Sequence, residues 1–269
     1  MKAPDGTAYE IHGDGPAVIL IHGLGLTRST WDGMIPDMAA RYRVIAYDLI
    51  GHGASSLPAS QPDLTLFARQ IAGLMDHLQI GRAALVGFSL GGMINRRFAL
   101  DFPDRLWALG ILNSPHERGA EGQRAVEARA RDTAAGGAEA TIDATLARWF
   151  TPDFLAAHPN RVRQVRDGVL ANDPDAYVAC RWVLANGVVE LIRPDPPIRV
   201  PALVMTCEND TGSTPAMSHA IAAEIDGAET LILPGLQHMG LVERPDLFAK
   251  PLVRFLDRHA VPARPGSAD

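Results

Sequence analysis

Cysteine is nearly absent from this chain. The two present, Cys180 and Cys207, lie in unrelated segments without metal-ligand spacing. This excludes a disulfide scaffold and a cysteine-held metal, and the expectation is two free thiols in a reducing compartment. Lysine is as scarce, two against 23 arginines, a bias that genome composition explains more simply than a binding surface does. The net charge is −6 and no basic cluster or basic face offsets it, so neither nucleic acid nor an anionic membrane is indicated as a partner. No apolar run is long enough to span a bilayer, and the opening Met1-Lys2-Ala3-Pro4-Asp5-Gly6 lacks the apolar core of a signal peptide. These absences predict a cytoplasmic protein, monomer or homodimer, acting on a small molecule with no metal and no cofactor.

What the chain does have is length and apolar content: 269 residues, 47% hydrophobic, enough for one large core with an inserted sub-domain. Short β-rich apolar runs at 17–21, 43–47, 83–88, 106–112, 202–207 and 230–233 are bounded by Gly, Pro, Asp or Asn. Between them, 64–78, 90–101, 215–225 and 245–259 carry apolar residues at helical spacing. This alternation predicts a mostly parallel sheet flanked by helices on both faces. From 114 to 197 the alternation breaks into a helix-rich interval too long for a simple crossover. We read it as a helical cap inserted into a core made of 1–113 and 198–260. The Pro, Ala and Gly rich tail, 261–269, is expected to be disordered.

The pentapeptide Gly87-Phe88-Ser89-Leu90-Gly91 sits where an apolar strand gives way to a helix. A G-x-S-x-G there reads as a nucleophile elbow, in which the serine occupies a strained turn and the small flanking residues let strand and helix pass. A serine hydroxyl is a poor nucleophile at neutral pH, so Ser89 needs a histidine to take its proton and a carboxylate to fix that histidine's tautomer. In the α/β-hydrolase arrangement, which this elbow resembles, the partners follow as serine, acid, histidine, each just beyond a strand end. Of nine histidines, His238 alone fits, after the strand at 230–233 and the turn Pro234-Gly235. Asp210 follows the strand at 202–207 and is the leading acid, with Glu208 as substitute. An acid one strand earlier is excluded, because that strand ends in Leu112-Asn113-Ser114 and a neutral amide cannot stabilise an imidazolium. Donors for an oxyanion are assigned to the backbone N–H groups of Leu90 and of Leu24, the latter in the loop His22-Gly23-Leu24-Gly25.

These motifs, with Asp48-Leu49-Ile50-Gly51-His52-Gly53-Ala54-Ser55, resemble the α/β-hydrolase superfamily over nearly the whole chain, in the right order. The Asp48 to Ser55 motif looks structural rather than catalytic. Within the superfamily, Arg148-Trp149-Phe150-Thr151-Pro152 and Asn172-Asp173-Pro174-Asp175-Ala176-Tyr177 are similar to the 3-oxoadipate enol-lactonase branch and its esterase relatives. The resemblance implies a serine hydrolase for a small, carboxylate-bearing ester or enol-lactone, met in breakdown of aromatic or heterocyclic compounds. Open-chain amide and carbon–carbon bond hydrolases remain alternatives, and some proteins with this fold are receptors rather than enzymes. Serine at position 89 argues against epoxide hydrolases and haloalkane dehalogenases, which need a carboxylate nucleophile.

A carboxylate bound under a cap calls for a planar, bidentate donor. Arg148 beside Trp149 and Arg181 beside Trp182 are the candidates, each pairing a guanidinium with a large apolar surface. Ten arginines face twelve acids across 114–197, so most of these charges are expected to be solvated.

Overall fold

The computed structural model describes residues 1–260, and the tail expected to be disordered, 261–269, lies outside the described residues. Strands β1 (Tyr9–His12), β2 (Ala17–Ile21), β3 (Arg43–Tyr47), β4 (Ala83–Phe88), β5 (Leu106–Leu112), β6 (Ala202–Cys207) and β7 (Glu229–Leu233) form one sheet in the order β1-β3-β2-β4-β5-β6-β7. Only β1 runs antiparallel to its neighbour. Every residue of β4, β5 and β6 is buried, as continuous apolar runs must be when helices cover both faces. β1 has no such run. It carries Glu10 and His12 on a half-exposed sheet edge, which is why apolar content did not mark it.

Helices α1 (Ile35–Ala39), α2 (Leu64–His77) and α3 (Leu90–Asp101) precede β5. Five more, α4 (Gly119–Gly136), α5 (Ile142–Trp149), α6 (Pro152–Ala157), α7 (Pro159–Leu170) and α8 (Pro174–Asn186), fill the interval between β5 and β6. α9 (Pro215–Ala223), α10 (Gly240–Glu243) and α11 (Pro245–His259) complete the chain described. α3 packs on α2, α11 packs on α1, and β5 touches both α3 and α11. α2 shows why such segments become helices here. Asp63 caps its N-terminus by accepting from the Leu66 N–H at 2.6 Å, and Leu64, Phe67, Ala68, Ile71, Leu74 and Met75 form one buried stripe. Among the described residues no helix is long and apolar enough to cross a membrane.

From β2 the chain steps out to β3 and then returns across β2 to β4. Successive connections therefore leave the β2–β4 border in opposite directions, opening a crevice at the carboxyl ends of these two strands. The turn after β2 and the elbow after β4 both face it. The Asp48 to Ser55 segment is bonded internally: Asp48 accepts from the backbone N–H groups of Arg28 and Ala54 at 2.8 and 2.9 Å and pairs with the Arg28 side chain.

Candidate active site

Ser89 joins β4 to α3 with φ 55° and ψ −112°, a conformation that costs a non-glycine residue about 1–3 kcal/mol. Two backbone bonds hold it: the Ser89 N–H donates to the Leu112 carbonyl at 2.8 Å, and the Gly92 N–H to the Ser89 carbonyl at 3.0 Å. A Cβ on Gly87 would strike the Gly91 backbone, and one on Gly91 the Ile21 carbonyl. Both flanking glycines are therefore sterically required.

His238 Nδ1 lies 2.6 Å from Asp210 Oδ2. The same oxygen accepts from Asn113 Nδ2 at 2.8 Å, while Asp210 Oδ1 accepts from the N–H groups of Gly212 and Ser213, each at 2.9 Å. Burial works against the charge on Asp210, but His238 and these donors outweigh it and hold the carboxyl below its usual range. An ionised carboxylate only accepts, so Nδ1 carries the histidine proton and Nε2 is left free to act as a base. Glu208 is engaged elsewhere: exposed, it accepts from the Gly235 N–H at 2.9 Å and braces that turn.

Ser89, Asp210 and His238 line one cleft of about 740 Å³, open to solvent, together with Gly23, Leu24 and Phe88. Ser89 Oγ has no hydrogen-bond partner among the described residues, a contact that in such sites tightens when substrate is bound. The backbone N–H groups of Leu24 and Leu90, both on buried residues, likewise donate to no acceptor among the described residues. Unpaired N–H groups on buried residues are rare, and here two flank one serine. His22, the first residue of the loop that carries Leu24, fixes the orientation of one of these N–H groups. The Leu49 N–H donates to His22 Nε2 at 3.0 Å, so Nδ1 bears the proton and donates to the Gly23 carbonyl at 2.8 Å. In a trans peptide the N–H opposes the carbonyl, so fixing the Gly23 oxygen turns the Leu24 N–H the other way.

The helices between β5 and β6 close the far wall. Arg148, Trp149 and Arg181 line the cleft, and the Trp149 ring lies 6.0 Å from that of His238. Trp182 is a correction. On α8 Arg181 lines the cleft, while Trp182, about 100° further round the helix, does not. Trp182 packs instead on Val126, Ala130 and Ala185 and borders a separate hollow with Gln61 and Glu190. Sequence reasoning also missed Arg118 and Arg129, which line the cleft with Val126. Arg118 caps α4 and Arg129 lies within it, and the sequence carries no signal for which face of that helix meets the cleft. Burial lowers the pKa of Arg118 to about 10, and burial with repulsion from neighbouring arginines lowers those of Arg129 and Arg148. Among the described residues no three His, Cys, Asp and Glu side chains are grouped as a metal ion requires.

A parallel sheet with a serine elbow at its switch point defines a class, and the sequence agrees: the profile of the alpha/beta hydrolase family matches residues 18–250, and the chain belongs to that family. It is 31% identical over 237 residues to 3-oxoadipate enol-lactonase 2 of Acinetobacter baylyi, covering 87% of this chain and 86% of that protein. It is 27% identical to the (E)-2-((N-methylformamido)methylene)succinate hydrolase of the same organism, over 88% of this chain and 89% of that one. Among solved structures, the enol-lactonase from Burkholderia xenovorans LB400 superposes with a TM-score of 0.85 at 30% identity, covering 93% of this chain and 96% of that one.

Proposed function

We propose that this protein is a serine hydrolase that cleaves a small carboxylate-bearing ester or enol-lactone through an acyl-enzyme, with the helices of 114–197 as its cap. The observation that carries the reading is the constellation itself: a strained Ser89, a His238 oriented by Asp210 at 2.6 Å, and unpaired backbone N–H groups on Leu24, in the cleft wall, and on Leu90, next to Ser89 in the chain. His238 Nε2 takes the Ser89 proton as Oγ attacks the substrate carbonyl carbon. The charge that develops on the carbonyl oxygen is received by the N–H groups of Leu24 and Leu90, each donor of this kind being worth about 10² to 10³ in kcat. Collapse expels the leaving oxygen, which takes the proton back from His238. Water then repeats the sequence on the acyl-enzyme and releases the acid.

The similarity to an enol-lactonase supports ester or lactone cleavage. The similarity to a hydrolase of a succinate-derived amide supports a second reading, an open-chain amide, which the same residues would cleave with His238 protonating the leaving nitrogen. Arg148 on the cleft wall fits the carboxylate in both readings. The test is turnover of short acyl esters, enol-lactones and dicarboxylic acid amides, with the acyl-enzyme sought by mass spectrometry. Ser89→Ala is expected to lower kcat by about 10⁴ to 10⁶ and to abolish acylation. Turnover by that variant within tenfold of the parent would overturn the proposal.

A further inference from the structure

Four guanidinium groups line the cleft: Arg118 at the N-cap of α4, Arg129 from α4, Arg148 from α5 and Arg181 from α8. Among the described residues none of the four pairs with a carboxylate. Arg118 donates to the carbonyls of Leu184 and Ala185 at 3.0 and 3.3 Å, and Arg148 reaches Thr145 Oγ1 at 3.4 Å. Elsewhere Arg28, Arg97, Arg105 and Arg258 meet Asp or Glu, while the buried Arg96 is held by the Gly92 and Pro115 carbonyls and Ser114 Oγ instead. Acids are not in short supply, since the chain has 31 against 25 basic residues and the segment 114–197 has twelve against ten. The cleft wall carries one carboxylate, Asp210, and that is committed to His238. With His238 neutral, the wall bears a formal surplus of three positive charges, two more than a monoanion would offset.

The arginines are also spread out. Arg118, the N-cap of α4, and Arg129 within the helix stand eleven residues apart, about 16 Å along the axis. Arg148 lies within electrostatic reach of Arg129, Arg181 and Asp210, which puts it at the reacting end, and Arg129 is also within reach of Arg181. Of the other three guanidiniums, Arg118 is within reach of Arg129 alone and so lies at the far end of the array. A compact anion such as phosphate can touch only part of such an array.

Resting on the hydrolase reading above, we propose that the substrate is a dianion with two separated carboxylates, one held by Arg148 and Arg181 beside the scissile carbonyl and the other by Arg118 and Arg129. Fork-shaped guanidiniums match carboxylates bidentately, and unpaired charges in a part-buried wall gain a partner only when such a ligand arrives.

The test separates binding from chemistry. Glutarate, pentanoate and inorganic phosphate are titrated at fixed ionic strength into the full-length Ser89→Ala protein by calorimetry. Glutarate is expected to bind at least tenfold more tightly than either of the others. In Ser89→Ala with Arg129→Met, glutarate is expected to fall to the level of pentanoate, while Arg129→Lys retains part of the preference. Because Arg129→Met relieves repulsion among like charges, its Tm is expected to hold or rise, whereas a merely structural arginine would lower it. Equal affinity for glutarate and pentanoate, or a preference untouched by Arg129→Met, would overturn the dianion proposal. Phosphate binding as tightly as glutarate would overturn the separation of the two charges. Hydrolysis of a neutral acetate ester by the unaltered protein, measured in parallel, tests the serine-hydrolase reading alone.

Discussion

Asn113, at the carboxyl end of β5 with φ 45°, shows how a residue set aside as an acid acquires a different task. Its amide donates to Asp210 Oδ2 at 2.8 Å and to Thr206 Oγ1 at 3.3 Å, so it helps hold the carboxylate that holds His238. Asn113→Asp would put a second carboxylate at that contact. Two such groups share one proton, which raises the pKa now held low at Asp210. The acidic limb of the kcat/KM profile is therefore expected to move to higher pH, and a profile identical to the parent's would contradict the role. Asp210→Asn, which leaves the histidine tautomer uncontrolled, is expected to cost about 10⁴ in kcat, measured on whichever ester is turned over. Glu208→Gln should leave kcat within a few-fold, because that side chain braces Gly235. At this scale the sequence was informative where chemistry restricts residue type and position together. Ser89, Asp210 and His238 each follow a strand, and few side chains suit such places. Arg118 and Arg129 were illegible by the same reasoning, since ten arginines share that segment and spacing alone does not say which face of α4 meets the cleft.

Between elements, the end of α5 is fastened to the loop that carries His238. The Met239 N–H donates to the Trp149 carbonyl at 2.8 Å, and the Glu243 carboxylate of α10 accepts from the Thr151 N–H and hydroxyl at 2.8 and 2.7 Å. Arg148 and Trp149 are thus positioned by a carboxylate almost a hundred residues downstream. Glu243→Ala strands both Thr151 donors and is expected to destabilise the protein by about 1–3 kcal/mol while raising KM more than it lowers kcat. Denaturant unfolding and steady-state kinetics read the two effects; a fall in kcat at constant KM would place Glu243 in the chemical step instead. The strands were legible because burial on both faces leaves no charged residue inside β4, β5 or β6 and only one polar one, Thr206. β1 was not, because four residues at a sheet edge with Glu10 and His12 among them resemble a loop. The helices of 114–197 were visible as helices, but their packing was not, which is how Trp182 came to be assigned to the wrong side of α8.

For the molecule as a whole, stability should depend on pH through two histidines shut inside it. The His22 and His52 rings lie 5.4 Å apart and are buried. Burial, then repulsion from His22, pushes the pKa of His52 down to about 3, and burial lowers that of His22 as well. Unfolding returns both to about 6.5, so the unfolded chain binds more protons between those values and stability is lost as pH falls from about 6.5 toward 3. His52→Gln is expected to lessen the slope of unfolding free energy between pH 4 and 6 by up to about 1.4 kcal/mol per pH unit. An unchanged slope in denaturant titrations would show that His52 is not the group responsible. The arginine-lined cleft has a consequence of its own for the pace of turnover. Hydrolysis replaces a neutral ester with a carboxylate, so each cycle ends with a product more negative than the substrate, in a wall with a formal surplus of three positive charges. Departure, rather than bond cleavage, then becomes the slow event. Pre-steady-state traces should show a burst, the acid product should inhibit competitively, and added salt should speed turnover at saturating substrate by screening the attraction that holds the product back.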